Sequence, residues 1–264
     1  MGAVTFSIDP RLIGALKNHL SFDIFVETGT FRGETIDIIK DDFNHIYSVE
    51  LSEHYYKGVV QKFGENSNIT LLNSDSAKAL KKIMASIQER PTIFWLDAHW
   101  CVADATAGEL SQCPLLDELG AISQLNDESM IIIDDARLFL TTPGKPHEIS
   151  DWPTFHDITK ALFKLSSVHQ LTVVNDCILF FPESMKEPIS KFAHEYGVDW
   201  LDMMNRCYSL EAMAIKLSKE LEMFHNMGFW KRVRGILGYS KRCISEAIRV
   251  NNPQKTAEEH RITE

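Results

Sequence analysis

The chain has 264 residues, 44% of them hydrophobic, enough for one or two domains and for a core under a six- or seven-stranded sheet. A formal net charge of −10 and a pI near 5.5 argue against nucleic acid as the main partner, because phosphate binding needs concentrated Lys and Arg. Five cysteines, Cys101, Cys113, Cys177, Cys207 and Cys243, with no CxxC pair, read as reduced thiols of a cytoplasmic protein rather than a disulfide framework.

No basic region followed by an apolar run opens the chain, and no apolar run is long enough to span a bilayer. Phe6 stands where a myristoylation signal needs Ser or Thr. From Phe22 to about Pro182, strand-like and helix-like patterns alternate. A strand over Phe22–Val26 leads through Glu27-Thr28-Gly29 to a helix over Gly33–Asp41. A second strand, His45–Val49, ends at Glu50, and Ser52 caps a helix over Ser52–Phe63. Ile69–Leu72 is a third strand, followed by Asp75-Ser76 and a helix over Ala77–Gln88. Thr92–Leu96 ends at Asp97, Pro114–Leu125 is a helix, and Met130–Ile133 ends at Asp134-Asp135.

After a longer loop, Thr154–Leu165 reads as a helix. Leu171–Val174 and Ile178–Phe181 then form a hairpin around Asn175-Asp176. The regular alternation implies an α/β fold: a doubly wound, Rossmann-like, mostly parallel seven-stranded sheet closed by an antiparallel hairpin. Residues 1–195 would form this domain. Residues 196–250 would be a helical extension, and 251–264 a disordered polar tail.

The strand ends carry the chemistry. In a doubly wound sheet Glu27, Glu50, Asp75, Asp97 and Asp134-Asp135 converge on one edge, where ligands bind. Gly29 lets backbone N–H groups approach a ligand, and Gly33 opens the helix. Glu50 lies about twenty residues beyond Gly29, the offset at which an acid meets ribose hydroxyls. Phe31 stands where a dinucleotide fingerprint wants glycine.

The acid-x-Gly-x-x-x-Gly turn, the Glu50 strand end, Asp75-Ser76 and Asp97 resemble the S-adenosylmethionine site of class I methyltransferases, over about residues 20–182. The resemblance implies S-adenosylmethionine as cofactor, bound by Glu27, Thr28, Gly29, Gly33, Glu50, Asp75, Ser76 and Asp97. Glu27 and Gly29 would line the methionine end, Glu50 would hold the ribose hydroxyls, and Asp75-Ser76 would flank the adenine.

Three carboxylates at one edge, Asp97, Asp134 and Asp135, suit a hard cation such as Mg²⁺; the alternative is that such acids cap neighbouring helices. With Asp97-Ala98-His99-Trp100, this layout resembles metal-dependent O-methyltransferases of the catechol and sugar type. Those place His directly after the acid and use a lysine base. Here Ala98 intervenes and Cys101 follows Trp100, so that base cannot be carried over. His99 and Asp97 are the candidate catalytic residues, His99 as general base; the alternative for His99 and Trp100 is loop packing. His99 with Cys101 and Cys113 matches no common zinc spacing, and no Gly-x-Ser-x-Gly elbow occurs.

The loops Cys101–Cys113 and Leu140–Pro153 follow strand ends and should shape the acceptor pocket. Arg137 would either neutralise the acidic pair or grip an acidic substrate. An apolar stripe from Leu210 to Met227 reads as core or as the seam of a homodimer. The basic aromatic segment 229–242 reads as a solvated tail, or as a contact for a protein or the inner face of a membrane.

The expected activity is methyl transfer from S-adenosylmethionine to a hydroxyl of a sugar, glycan or related small metabolite. Two alternatives are an NAD-linked oxidoreductase and a non-catalytic scaffold for a membrane-associated complex.

Overall fold

A computed structural model describes residues 4–87, 89–100 and 111–226. The chain divides into two compact units, Met1–Val198 and Asp199–Glu264. The first unit begins with helix α1, Pro10–Lys17, capped by Asp9, whose side chain accepts the Arg11 N–H. Then come strand β1, Ile24–Thr28; α2, Glu34–Ile39; β2, His45–Glu50; and α3, Glu53–Phe63. They are followed by β3, Ile69–Asn73; α4, Ser76–Ile87; β4, Thr92–Leu96; α5, Leu115–Ile122; and β5, Met130–Ile133. A short α6, Arg137–Leu140, leads to α7, Phe155–Leu165; the hairpin strands β6, His169–Val174, and β7, Cys177–Pro182; and α8, Lys186–Tyr196.

The seven strands lie in the order β3-β2-β1-β4-β5-β7-β6. β1 to β5 are parallel, and β7 runs antiparallel to both β5 and β6. This is the expected doubly wound sheet. Asn175 and Asp176 take positive φ (50° and 75°), the left-handed pair a tight hairpin turn needs.

The sheet is buried on both faces, so β1, β4, β5 and β7 are buried throughout. Side-chain alternation sends Phe25, Trp95 and Ile132 into one core layer with Leu12, Ile36 and Ile189. Ile24, Phe94 and Ile131 enter the other layer with Leu80, Leu119 and Ile158. α1 and α8, which the sequence patterns left unassigned, cover the first layer, and the Arg11 guanidinium lies over the Tyr196 ring, 4.5 Å from its centroid.

β1 runs two residues further than the apolar pattern suggests. Glu27 and Thr28 are strand residues, 1% and 0% exposed, held by parallel pairing to β2 and β4. Ser52 sits at the cap position of α3, but its side chain makes no cap bond; its N–H donates to Glu50 instead.

The second unit contains α9, Trp200–His225, whose cap Asp199 accepts the N–H groups of Leu201 and Asp202. The segment 229–242 and the tail 251–264 lie outside the described residues. Among the described residues, no helix is long and apolar enough to cross a membrane.

Candidate active site

The order reverses between β1 and β4, so the crevice at their carboxyl ends is the topological switch point. The Glu27–Gly33 turn lies there. Gly29 has φ +81°, and a Cβ on it would collide with the Asp97 backbone carbonyl. A side chain is therefore excluded twice, by backbone conformation and by the close approach of β1 to β4. Gly33, at φ +76°, would place a Cβ 2.6 Å from the Phe63 ring. Both glycines are where a tight turn requires them.

Glu27 projects to the α2 side of the sheet, where the Ser48 hydroxyl donates to it and Thr35 hydrogen-bonds it. Burial, with the charges of Glu50 and Glu34 adding, pushes its carboxyl up to about 8 despite these hydroxyls. Thr30 Oγ1 lies 2.6 Å from Ser48 Oγ and completes the chain of hydroxyls.

Glu50 closes the turn from β2. One carboxylate oxygen accepts the Phe31 N–H at 2.8 Å, the other the Ser52 N–H at 2.7 Å. Burial raises its pKa, and these backbone donors oppose the rise. The two bonds leave lone pairs on each oxygen for further donors such as ribose hydroxyls.

Asp75 caps α4, accepting the Lys78 N–H at 2.9 Å. The buried Ser76 hydroxyl turns to Glu118.

Asp97 follows β4. Desolvation, then the charges of Asp134, Asp135 and Glu27, hold its carboxyl well above the usual carboxylate range. Its side chain keeps an opening to solvent, 31% exposed. His99 comes next, with Nε2 2.9 Å from an Asp135 oxygen and Nδ1 3.6 Å from an Asp97 oxygen. Its ring is boxed edge-on by Phe139 and Trp152, with centroids 6.2 Å and 5.6 Å away.

Asp135 has positive φ (55°), which turns its side chain back toward His99. Burial would raise its pKa, but the His99 hydrogen bond and the Arg137 guanidinium, 2.6 Å away, prevail and lower it to about 2. Arg137 also bonds Asp176, so it is a counter-charge locked to two acids.

The expected metal set is not assembled. Asp134 is buried and accepts the Cys177 thiol at 2.9 Å, while Asp135 is taken by His99 and Arg137. Among the described residues, no three His, Cys, Asp or Glu side chains are arranged to hold a metal ion. The acids reach one edge as expected, but their side chains are turned to protein partners. The donor set does not fit Mg²⁺.

Two features escaped the sequence patterns. Glu118 of α5 is 1% exposed, its pKa raised by burial. Ser76 and Thr28 hydrogen-bond its carboxyl, while its Oε1 has no hydrogen-bond partner. It lines a small pocket with Leu96, Ala98, His99 and Phe139. An acid at this helical position reads as surface charge, and only the packing of α5 over β4 buries it.

The second feature is Gln112. Its carbonyl accepts Trp100 N–H at 2.8 Å, and its N–H donates to Asp151 at 3.0 Å. Its side-chain oxygen accepts the Glu148 N–H at 2.9 Å and the Trp152 indole N–H at 3.0 Å. It thereby stitches the segment after β4 to the segment after α6. Beside it, His147 packs against Trp100 and Trp152, 5.6 Å and 4.9 Å between centroids. These aromatics form a wall beside His99. Residues 101–110 of the first acceptor loop lie outside the described residues.

A scan against protein-family models finds no match, and a search of curated proteins finds none. Among solved structures, the chain is similar to spermidine synthase from Thermotoga maritima, with 11% identity, 70% of this chain and 63% of that chain covered, and a TM-score of 0.42. It is similar to N-methyltransferase NodS from Bradyrhizobium japonicum WM9, with 10% identity, 66% and 93% covered, and a TM-score of 0.39. Geranyl diphosphate C-methyltransferase from Streptomyces coelicolor, solved with Mg²⁺, geranyl diphosphate and S-adenosyl-L-homocysteine, matches at 13% identity, 62% and 60% coverage and a TM-score of 0.39. The chain spans less than two thirds of the length of the spermidine synthases it matches. The fold stands on the observed strand order.

Proposed function

We propose that the chain is an S-adenosylmethionine-dependent methyltransferase acting on a hydroxyl of a sugar, glycan or related small metabolite. The observation that carries the cofactor is the sign of the switch-point edge. Glu27, Glu50, Asp97 and Glu118 all have carboxyls whose pKa is raised there. Such a site favours a cation, because a nearby positive charge offsets the cost of ionising buried acids. S-adenosylmethionine brings a sulfonium and an ammonium group. A dinucleotide brings a pyrophosphate, an anion that would push these carboxyls further from ionisation instead of offsetting its cost, and so the NAD-linked reading is weaker.

In this reading Glu27 and Asp97 face the methionine end, Thr28, Gly29 and Gly33 shape the turn under it, and Glu50 takes the ribose hydroxyls. Ser76 and Asp75 border the adenine.

His99 supports oxygen as the methyl acceptor. The Asp135 carboxyl is held low and sits 2.9 Å from Nε2; in the tautomer that donates Nε2–H to it, the Nδ1 lone pair would face the Asp97 side. A hydroxyl hydrogen-bonded to Nδ1 from beside Asp97 would lose its proton to His99 as its oxygen is methylated. When bound, S-adenosylmethionine would supply the methyl group, its S–CH₃ bonding pair staying on sulfur, so that the acceptor oxygen would keep the methyl and His99 the proton. The aromatic wall beside His99 suits the apolar face of a sugar ring.

Calorimetry of the purified chain with S-adenosylmethionine, S-adenosylhomocysteine and NAD tests the cofactor. Binding of the first two and not the third is expected, and binding of NAD alone would overturn the reading. Transfer of labelled methyl groups into a cell extract then reports acceptor size.

A further inference from the structure

α9 carries an apolar repeat of a kind its length makes unusual. Taking Trp200 as position a of a heptad, the a positions are Trp200, Cys207, Ala214 and Leu221. The d positions are Met203, Leu210, Leu217 and Phe224. The three-four spacing runs unbroken through the helix with no charged residue in the seam, which is the pattern of a two-helix coiled coil. No residue of the helix is buried; Leu210 is 66% and Leu221 70% exposed. Leu201, Tyr208 and Ile215 widen the apolar face on one flank.

The flanking charges identify the occupant of this seam. In a parallel, in-register pair, position g of one helix meets position e of the next heptad on the other. That places Arg206 against Glu211, a complementary pair. The antiparallel pair with the same seam brings Arg206 to Glu220 but also sets Glu211 against its own copy, two like charges side by side, which the parallel pair avoids. The structure assigns α9 to a parallel two-stranded coiled coil with a second copy of this chain. Seams of opposite polarity on an unrelated partner would not need this self-complementary charge pattern.

Cys207 makes the proposal testable. It is a free, exposed thiol at an a position, so in the parallel register it faces its symmetry mate across the two-fold axis. Cys113 and Cys177 are buried. The full-length chain, purified reduced, is measured by light scattering and then mildly oxidised. A particle of twice the 30.1 kDa chain mass is expected, and after oxidation a disulfide-linked dimer band that reductant returns to monomer.

Cys207→Ser should abolish that disulfide-linked band while the mass in solution stays dimeric. Leu210→Glu with Leu217→Glu should give a monomer whose first unit melts as before. A wild-type monomer at every concentration reached would overturn the proposal and leave the face to a different protein. A dimer whose oxidation gives no Cys207-dependent link would overturn the parallel register.

Discussion

His99 stands between two carboxylates of opposite state, with Nε2 2.9 Å from Asp135 and Nδ1 3.6 Å from Asp97. Asp135 is held low, to about 2, by His99 and Arg137 against the effect of burial. Asp97 is held high by desolvation and its acidic neighbours. One acid is thus an anchor that orients the imidazole, while the other is poised to be protonated. For a general base worth ~10²–10⁴-fold, His99→Gln should lower kcat by that order and leave S-adenosylmethionine binding intact. Asp135→Asn should lower kcat by ~10²-fold and change the pH profile, because the imidazole loses the partner that selects its tautomer. Steady-state kinetics beside calorimetry separate the two effects.

Glu27 sets a pH dependence whose sign is opposite to that of an ion-paired acid. Its folded pKa of about 8 lies above its ordinary value of 4.5. The folded chain therefore holds a proton that the unfolded chain has lost throughout that window. Stability should fall as pH rises from about 4.5 to 8, with a slope approaching ~1.4 kcal/mol per pH unit from this group. Glu27→Gln should remove that slope in urea titrations taken across the window. A cationic ligand favours the ionised acid, so binding of S-adenosylmethionine near pH 7 should release a proton, seen as calorimetric enthalpies that vary with buffer.

Asp135 works the other way. Its pKa is depressed to about 2 from 3.8, so its stabilisation is present above about pH 4 and is lost as pH falls through about 2. The shift corresponds to ~2 kcal/mol. Arg137→Met should shrink that contribution, and acid-induced unfolding followed by circular dichroism should then begin at higher pH.

Gly29→Ala should cost ~2–4 kcal/mol, adding a left-handed backbone penalty to a clash with the Asp97 carbonyl. Denaturant melts report the stability loss. Cofactor binding should disappear in the fraction that remains folded, because β1 and β4 can no longer close on the crevice.

Gln112→Ala should cost ~1–3 kcal/mol by leaving the Glu148 N–H and the Trp152 indole N–H without their acceptor. It should raise KM for the hydroxyl acceptor and leave cofactor affinity unchanged, since Gln112 ties together the acceptor segments and touches none of the switch-point acids.

The sequence by itself determined the layering and the sheet edge at which the strand-end acids meet. Short continuous apolar runs, the Asn175-Asp176 turn and the regular βα alternation suffice for a doubly wound sheet, because each reports local backbone geometry and burial. The acids at or just beyond the ends of the five parallel strands then have to lie on one edge. Tertiary structure alone decided what each acid does there. Asp134 bonds Cys177 and Asp135 bonds His99 and Arg137, so the carboxylates that spacing grouped for a cation are divided among protein partners. Glu118 is buried and Gln112 bridges two loops for the same reason. Pattern places a residue on an element, but its partner is chosen by contacts between residues distant in the chain, which form only when the sheet and helices close.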